Sequence, residues 1–297
     1  MTSNLPYEKK ETFFPCNGEK CHGILYLPSG IKKAPALVMG MGFGMVKEVH
    51  ADDYAPYFAQ KGIAVFVFDY RRFGRSEGMP RQALYPMDQV SDYRCAISFM
   101  KTIEKVDPNR ICVWGTSFSG GHVLTLLAFP EPGLKCGISQ VPNVYSYRTA
   151  LEYFGSLEPV LMLYSQNSKD CCEGRPSYIP IVSKDGIAAL MTKEAYEYYT
   201  SIASKYETFE NKITLDSLTH ILAYNPGDYS HLIKKPLLMI IASKDQTTPP
   251  KIAKEVADRI KSEVTIKEYN VGHFEIYKQP LLNEIAIYES AWLLERL

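Results

Sequence analysis

Along most of the chain, short apolar runs alternate with longer segments whose apolar positions recur at helical spacing, and Gly, Pro, Asn or Asp marks the junctions. A chain patterned in this way builds a mainly parallel sheet covered by helices on both faces, the α/β class. Residues 12–15 and 23–27 predict a hairpin around Cys16-Asn17-Gly18-Glu19, because Asn-Gly readily adopts the positive φ angles of a tight turn. Strands are predicted at 35–39, 64–70, 111–114, 134–140, 236–242 and 264–269. Helices are predicted at 51–61, 87–104, 122–128, 251–261 and 281–297. Between Val141 and His231 the rhythm gives way to aromatic, helix-like stretches such as 192–206, with no strand period. The expected organisation is therefore a core over residues 1–141, a helical cap inserted at 142–231, and the rest of the core at 232–297. Tyr145, Tyr147, Tyr153, Tyr164, Tyr178, Tyr196, Tyr198, Tyr199 and Tyr206 are expected to build the cap's own packing, with some of them facing a substrate.

Composition narrows the partners. The 297 residues carry 33 basic and 33 acidic side chains with no long run of like charge, which removes the electrostatic footprint of a nucleic-acid or anionic-membrane binder. Residues 1–20 lack the apolar stretch of a secretory signal, and no run approaches the roughly 18 apolar residues of a membrane span. A soluble, cytoplasmic protein acting on a small molecule is expected, with a homodimer left open. The seven cysteines, Cys16, Cys21, Cys95, Cys112, Cys136, Cys171 and Cys172, show no disulfide framework. Cys112 and Cys136 sit in apolar strands as small buried thiols. Cys171-Cys172 lacks further ligands at zinc spacing, so no metal is expected, and no cofactor either.

The densest chemical signal is Val113-Trp114-Gly115-Thr116-Ser117-Phe118-Ser119-Gly120-Gly121, between a predicted strand and a predicted helix. A serine on such a sharp turn is held in a strained backbone geometry with its hydroxyl clear of the sheet, and the following N–H is left to bind an oxyanion. The pattern Gly-x-Ser-x-Gly is met here except at its last position, which is Ser119. A serine nucleophile needs a histidine base and a carboxylate to orient it. His273 follows a strand and the turn Asn270-Val271-Gly272, a better placement than His22, His50, His122, His220 or His231, although His50 stands before the first helix and could approach the entrance. Asp245 ends the apolar strand that precedes Pro249-Pro250. The order Ser117, Asp245, His273 is that of α/β-hydrolases. The loop Gly40-Met41-Gly42-Phe43-Gly44-Met45 offers the Phe43 N–H as an oxyanion donor beside the Phe118 N–H.

With these residues in place, nearly the whole chain resembles the α/β-hydrolase superfamily. The segments at 42–48, 68–78 and 114–123, together with Ser139-Gln140-Val141-Pro142 and Gly272-His273-Phe274, resemble the dienelactone-hydrolase-like polyketide transferase family. The resemblance covers 40–142 and 236–277 well and the cap poorly. It implies an eight-stranded, mostly parallel sheet flanked by helices, and serine-dependent chemistry on an ester or thioester acyl group, in some members with release or transfer of a polyketide chain. Two departures stand out. Met41 occupies a position where many hydrolases have histidine, and Arg72 stands where the family often has glycine, either anchoring an acidic group or serving as a surface cation. Hydrolysis, acyl transfer and carbon–carbon cleavage share this machinery, and a catalytically silent ligand-binding protein on the same fold is the contrasting class.

Overall fold

The computed structural model describes residues 4–156, 158–173 and 176–297. The side chains of Tyr153, Tyr164 and Cys171 lie outside what is described, so the expectations for them are not taken further. The chain opens with β1 (Tyr7–Cys16) and β2 (Glu19–Pro28), a hairpin longer than the pattern suggests. Its turn is the expected one, with Asn17 at φ 49° and Gly18 at φ 85°. There follow β3 (Ala34–Gly40), α1 (Ala51–Ala59), β4 (Ala64–Phe68), α2 (Pro86–Thr102), β5 (Val106–Thr116), α3 (Phe118–Ala128) and β6 (Leu134–Gln140). Between β6 and the next strand of the main sheet come α4 (Ser146–Phe154), α5 (Glu158–Cys172), β7 (Tyr178–Ile179), α6 (Lys193–Ala203), β8 (Ile213–Thr214) and α7 (Ser217–Leu222). The chain closes with β9 (Leu237–Ala242), α8 (Pro250–Ala257), β10 (Val264–Tyr269) and α9 (Leu281–Leu294).

Eight strands form one sheet in the order β1-β2-β4-β3-β5-β6-β9-β10, antiparallel only at β1–β2 and β2–β4. β3 and β4 are buried along their whole length, which is why they read as unbroken apolar runs rather than alternating ones. Successive residues of β5 face opposite layers. Trp114 packs on Tyr54 of α1 at 5.1 Å and donates its indole N–H to Glu289 of α9 at 3.0 Å. Val113 points the other way, into the space where Gly137 of β6 meets Val123 and Leu127 of α3. Burial pushes the Glu289 carboxyl up to about 8, so it is a neutral acid at pH 7, and its Oε1 has no hydrogen-bond partner among the described residues.

Two expectations are corrected. The segment between β6 and β9 contains a small antiparallel ladder, Tyr178↔Thr214 and Ile179↔Ile213, too short to leave a strand period. Cys16 and Cys95 form a disulfide across 79 residues of sequence, a pairing of hairpin with α2 that spacing does not reveal. Cys112 and Cys136 are buried free thiols on adjacent strands, as expected.

The register places the site. Gly40 pairs with Gly115, Thr116 with Gln140, Gln140 with Ile240 and Ala242 with Tyr269, so the carboxyl ends of β3, β5, β6, β9 and β10 form one rim. The loops leaving that rim meet where open α/β sheets bind ligands.

Candidate active site

Ser117 is the last residue before α3 and has φ 56° and ψ −116°. An L-residue in this region is strained, and persists only where its surroundings over-determine it. Three backbone bonds do so here: Ser117 N donates to Gln140 O at 2.7 Å, and Gly120 N and Asn143 N each donate to Ser117 O at 3.0 Å. Gly115 permits the reversal, because a Cβ there would collide with the Ser119 carbonyl. Ser119, the departure from the five-residue pattern, has its own task. Its buried hydroxyl donates to Met41 O and receives a hydrogen bond from Tyr70 OH at 2.6 Å. The serine thus ties the loop after β3 to the serine turn, and the Met41 position contributes its carbonyl rather than a side chain.

His273 and Asp245 arrive beside Ser117 from the ends of β10 and β9. Ser117 Oγ lies 3.0 Å from His273 Nε2, and His273 Nδ1 lies 2.6 Å from Asp245 Oδ2. A carboxylate only accepts, so Nδ1 carries the proton and Nε2 presents its lone pair to the serine hydroxyl. The remaining Asp245 lone pairs are satisfied by Thr247 N and Thr248 N, both 2.7 Å from Oδ1, and by Thr248 Oγ1 at 2.8 Å from Oδ2. All three side chains are buried, with His273 at 0 % exposure and Ser117 and Asp245 at 7 %. Among the sequence-derived candidates, these three are brought into one hydrogen-bonded line.

The rings of Phe43 and Phe118 meet edge to face, their centroids 5.6 Å apart. The loop carrying Phe43 passes directly over Ser117, since a Cβ on Gly42 would sit 3.2 Å from the Ser117 Cβ. Phe118 opens α3, where unpaired N–H groups and the helix dipole favour negative charge.

Two of the other histidines are engaged away from the serine. His50 is buried, Nδ1 3.1 Å from Asp53 and Nε2 2.5 Å from Tyr198 OH, and burial lowers its pKa. His122 bridges Tyr224 OH and Gln89 Oε1, each at 2.9 Å, and burial pushes it down to about 3, so it stays neutral. Arg72 is no free anchor: it pairs with Asp88 at 2.7 Å and lies over the Tyr85 ring at 4.9 Å. Lys47 and Asp69, both in the segments that carry the family resemblance, form a buried ion pair at 2.7 Å beneath the loop.

A cleft enclosing about 830 Å³, part of it open to solvent, begins at Ser117 and runs under the segment between β6 and β9. Phe154, Leu163, Ile179, Leu190, Leu218 and Ile221 make its walls apolar, and none of its described lining residues is charged. Of the tyrosines singled out in that segment, Tyr199 lines the cleft, whereas Tyr147 and Tyr178 are exposed and Tyr196, Tyr198 and Tyr206 pack against the core. Sequence alone does not single out Glu194, Thr247 or Thr248, which surround Asp245 and His273; Thr247 and Thr248, two and three residues after Asp245, carry the local signal for them. Among the described residues, no helix is long and apolar enough to cross a membrane.

Comparison with known proteins agrees with this architecture. Residues 18–248 match the X-Pro dipeptidyl-peptidase (S15) family. The chain is 32% identical to the quorum-quenching protein AidA of Acinetobacter baumannii over 278 residues, covering 93% of this chain and 91% of that one. It is 28% identical to the polyketide transferase af380 of Aspergillus fumigatus, covering 97% and 99% respectively. The crystal structure of the α/β hydrolase GrgF from Penicillium sp. sh18 superposes with a TM-score of 0.83 at 24% identity, over 98% of this chain and 99% of that one. The chain is an enzyme of the serine-hydrolase type, and belongs to the S15 peptidase family of the α/β-hydrolase fold.

Proposed function

We propose that this enzyme cleaves or transfers the acyl group of a small ester or thioester through an acyl-serine intermediate. Ser117 Oγ attacks the acyl carbonyl carbon while His273 Nε2 takes the hydroxyl proton, and Asp245 holds the ring and offsets the imidazolium charge. The carbonyl oxygen becomes an oxyanion between the Phe43 and Phe118 N–H groups. Collapse breaks the carbonyl–oxygen or carbonyl–sulfur bond, and the leaving group takes the proton from His273. Water, or an alcohol or amine in transfer, then repeats the sequence in reverse on the acyl-serine. Residues 142–231 act as the cap that houses the acyl chain.

The observation that carries this reading is the Ser117–His273–Asp245 line opening into an uncharged, apolar cleft. A peptide N-terminus, the group an X-Pro dipeptidyl-peptidase must seat, is a cation, and burying it among these walls would leave it without a counterion. A neutral acyl chain gains from the same walls by burying apolar surface. The polyketide transferase relative is named for the transfer of a polyketide, which favours the same class.

A fluorophosphonate probe tests the nucleophile: the wild type should label and Ser117→Ala should not. An unlabelled wild type sinks the proposal. A panel of aryl esters and acyl thioesters of increasing chain length, with product analysis in the presence of alcohols and amines, then decides between hydrolysis and transfer.

A further inference from the structure

Helix α6, in the segment between β6 and β9, reaches three of the loops at the sheet rim. Tyr199 OH donates to Phe43 O at 2.7 Å, and Tyr198 stacks on Phe274, the residue after His273, with ring centroids 4.5 Å apart. Glu194, one turn before Tyr198, directs its carboxylate between the loops that carry the acid and the base. Thr247 Oγ1 donates to Glu194 Oε1 at 3.2 Å, and the same threonine's N–H donates to Asp245 at 2.7 Å. On the other side, Glu194 Oε2 comes so close to Gly272 that a Cβ there would stand 2.6 Å from it. Burial raises the Glu194 carboxyl above its ordinary range, the His273 charge draws it down, and Asp245 raises it again.

The titratable groups facing this carboxylate are His273, Asp245 and Glu275, whose Oε2 accepts from Gly272 N at 2.6 Å. Glu152 stands across the crevice that borders Asp245. Lys193, next in sequence, is exposed and turned toward Glu197 at 3.7 Å. Glu194 does not line the acyl cleft, so its reach is to the base and acid rather than to substrate.

We propose that Glu194 is a positioning residue for the Ser117–His273–Asp245 triad, a second carboxylate delivered by the cap that holds Thr247 and Gly272 in place and favours the imidazolium form of His273. The proposal rests on the triad reading above. A negative charge beside a histidine stabilises its protonated form, which is the form present when the acyl carbonyl is tetrahedral. Removing that charge makes protonation of the free base harder, so the acid limb of kcat/KM moves to lower pH, while the turnover step loses stabilisation.

The test uses Glu194→Gln and Glu194→Asp with an activated ester, each variant first checked for fluorophosphonate labelling. For Glu194→Gln the expectation is a fall in kcat of about 3–30-fold with KM within about twofold, and an acid limb displaced downward by about half a pH unit or more. Glu194→Asp should restore the limb toward its wild-type position, which a purely structural role would not require. Thr247→Val, which removes the hydroxyl holding Oε1, should displace the limb in the same direction and stands in if Glu194→Gln does not fold. The limb position decides: displacement supports the assignment, and an acid limb coincident with wild type overturns it. Failure of the triad reading would look different, since the wild type itself would then not label.

Discussion

The rim of the sheet and the segment between β6 and β9 solve different problems. At the rim, each candidate side chain sits one to four residues past a strand end, and backbone pairing of the strands fixes its position: Phe43 after β3, Ser117 after β5, Asp245 after β9, His273 after β10. Their geometry is set by the parallel register, so local sequence carries it. In the intervening segment the useful side chains project from helices whose place depends on tertiary packing, as with Tyr199 on Phe43 O and Glu194 on Thr247. On the proposed reading, the rim supplies the chemistry, and the segment supplies the apolar walls and the placement of the rim loops.

Mutations that separate these two roles should differ in size and in kind. The largest effect belongs to the rim: His273→Ala should lower turnover of an activated ester by at least about a thousandfold with KM little changed, read by steady-state kinetics. A residual rate within tenfold would point to another base. A change in the cleft should act on selectivity instead. Ala150→Trp, on α4, fills part of the apolar space and should depress kcat/KM for long acyl chains more than about tenfold while sparing acetyl esters within about threefold. Equal loss across chain lengths would show that the cleft does not hold the acyl group.

The smallest effect lies below the rim and concerns stability alone. Glu289 has a folded value of about 8 against an ordinary 4.5, so the native state binds a proton that the unfolded chain has released between those values. Its contribution therefore falls as pH rises from about 4.5 to 8, which gives a negative slope of stability against pH. Glu289→Gln keeps an acceptor for the Trp114 indole N–H, and should flatten that slope and leave the variant more stable than wild type at pH 8 by about 1 kcal/mol or more, measured by urea denaturation across pH. Unchanged slopes would show that Glu289 is ionised in the folded protein.

The contrast also explains what was legible in the sequence. Strands such as β3 and β9 are buried on both faces and announce themselves as apolar runs, and Asn17-Gly18 announces its turn. Ser117, Asp245 and His273 could be chosen because strand ends are local features, and the structure brings all three into hydrogen-bonding distance. Ser119 was visible only as a broken motif, because its reason, the Met41 carbonyl and Tyr70 hydroxyl, comes from other strands. The Cys16–Cys95 disulfide, the β7–β8 ladder and Glu194 depend on contacts distant in sequence, and no periodicity encodes them. Arg72 read as open between anchor and surface cation because Asp88 and Tyr85, which occupy it, are neighbours only after folding.

The most direct measurement is mass spectrometry of the enzyme quenched during turnover of a slow aryl ester, followed by peptide mapping. The account predicts an acyl adduct on the peptide that contains Ser117, its mass increasing with the acyl chain supplied, and its absence in Ser117→Ala. Turnover with no adduct on that peptide, or with the adduct on another residue, would contradict it.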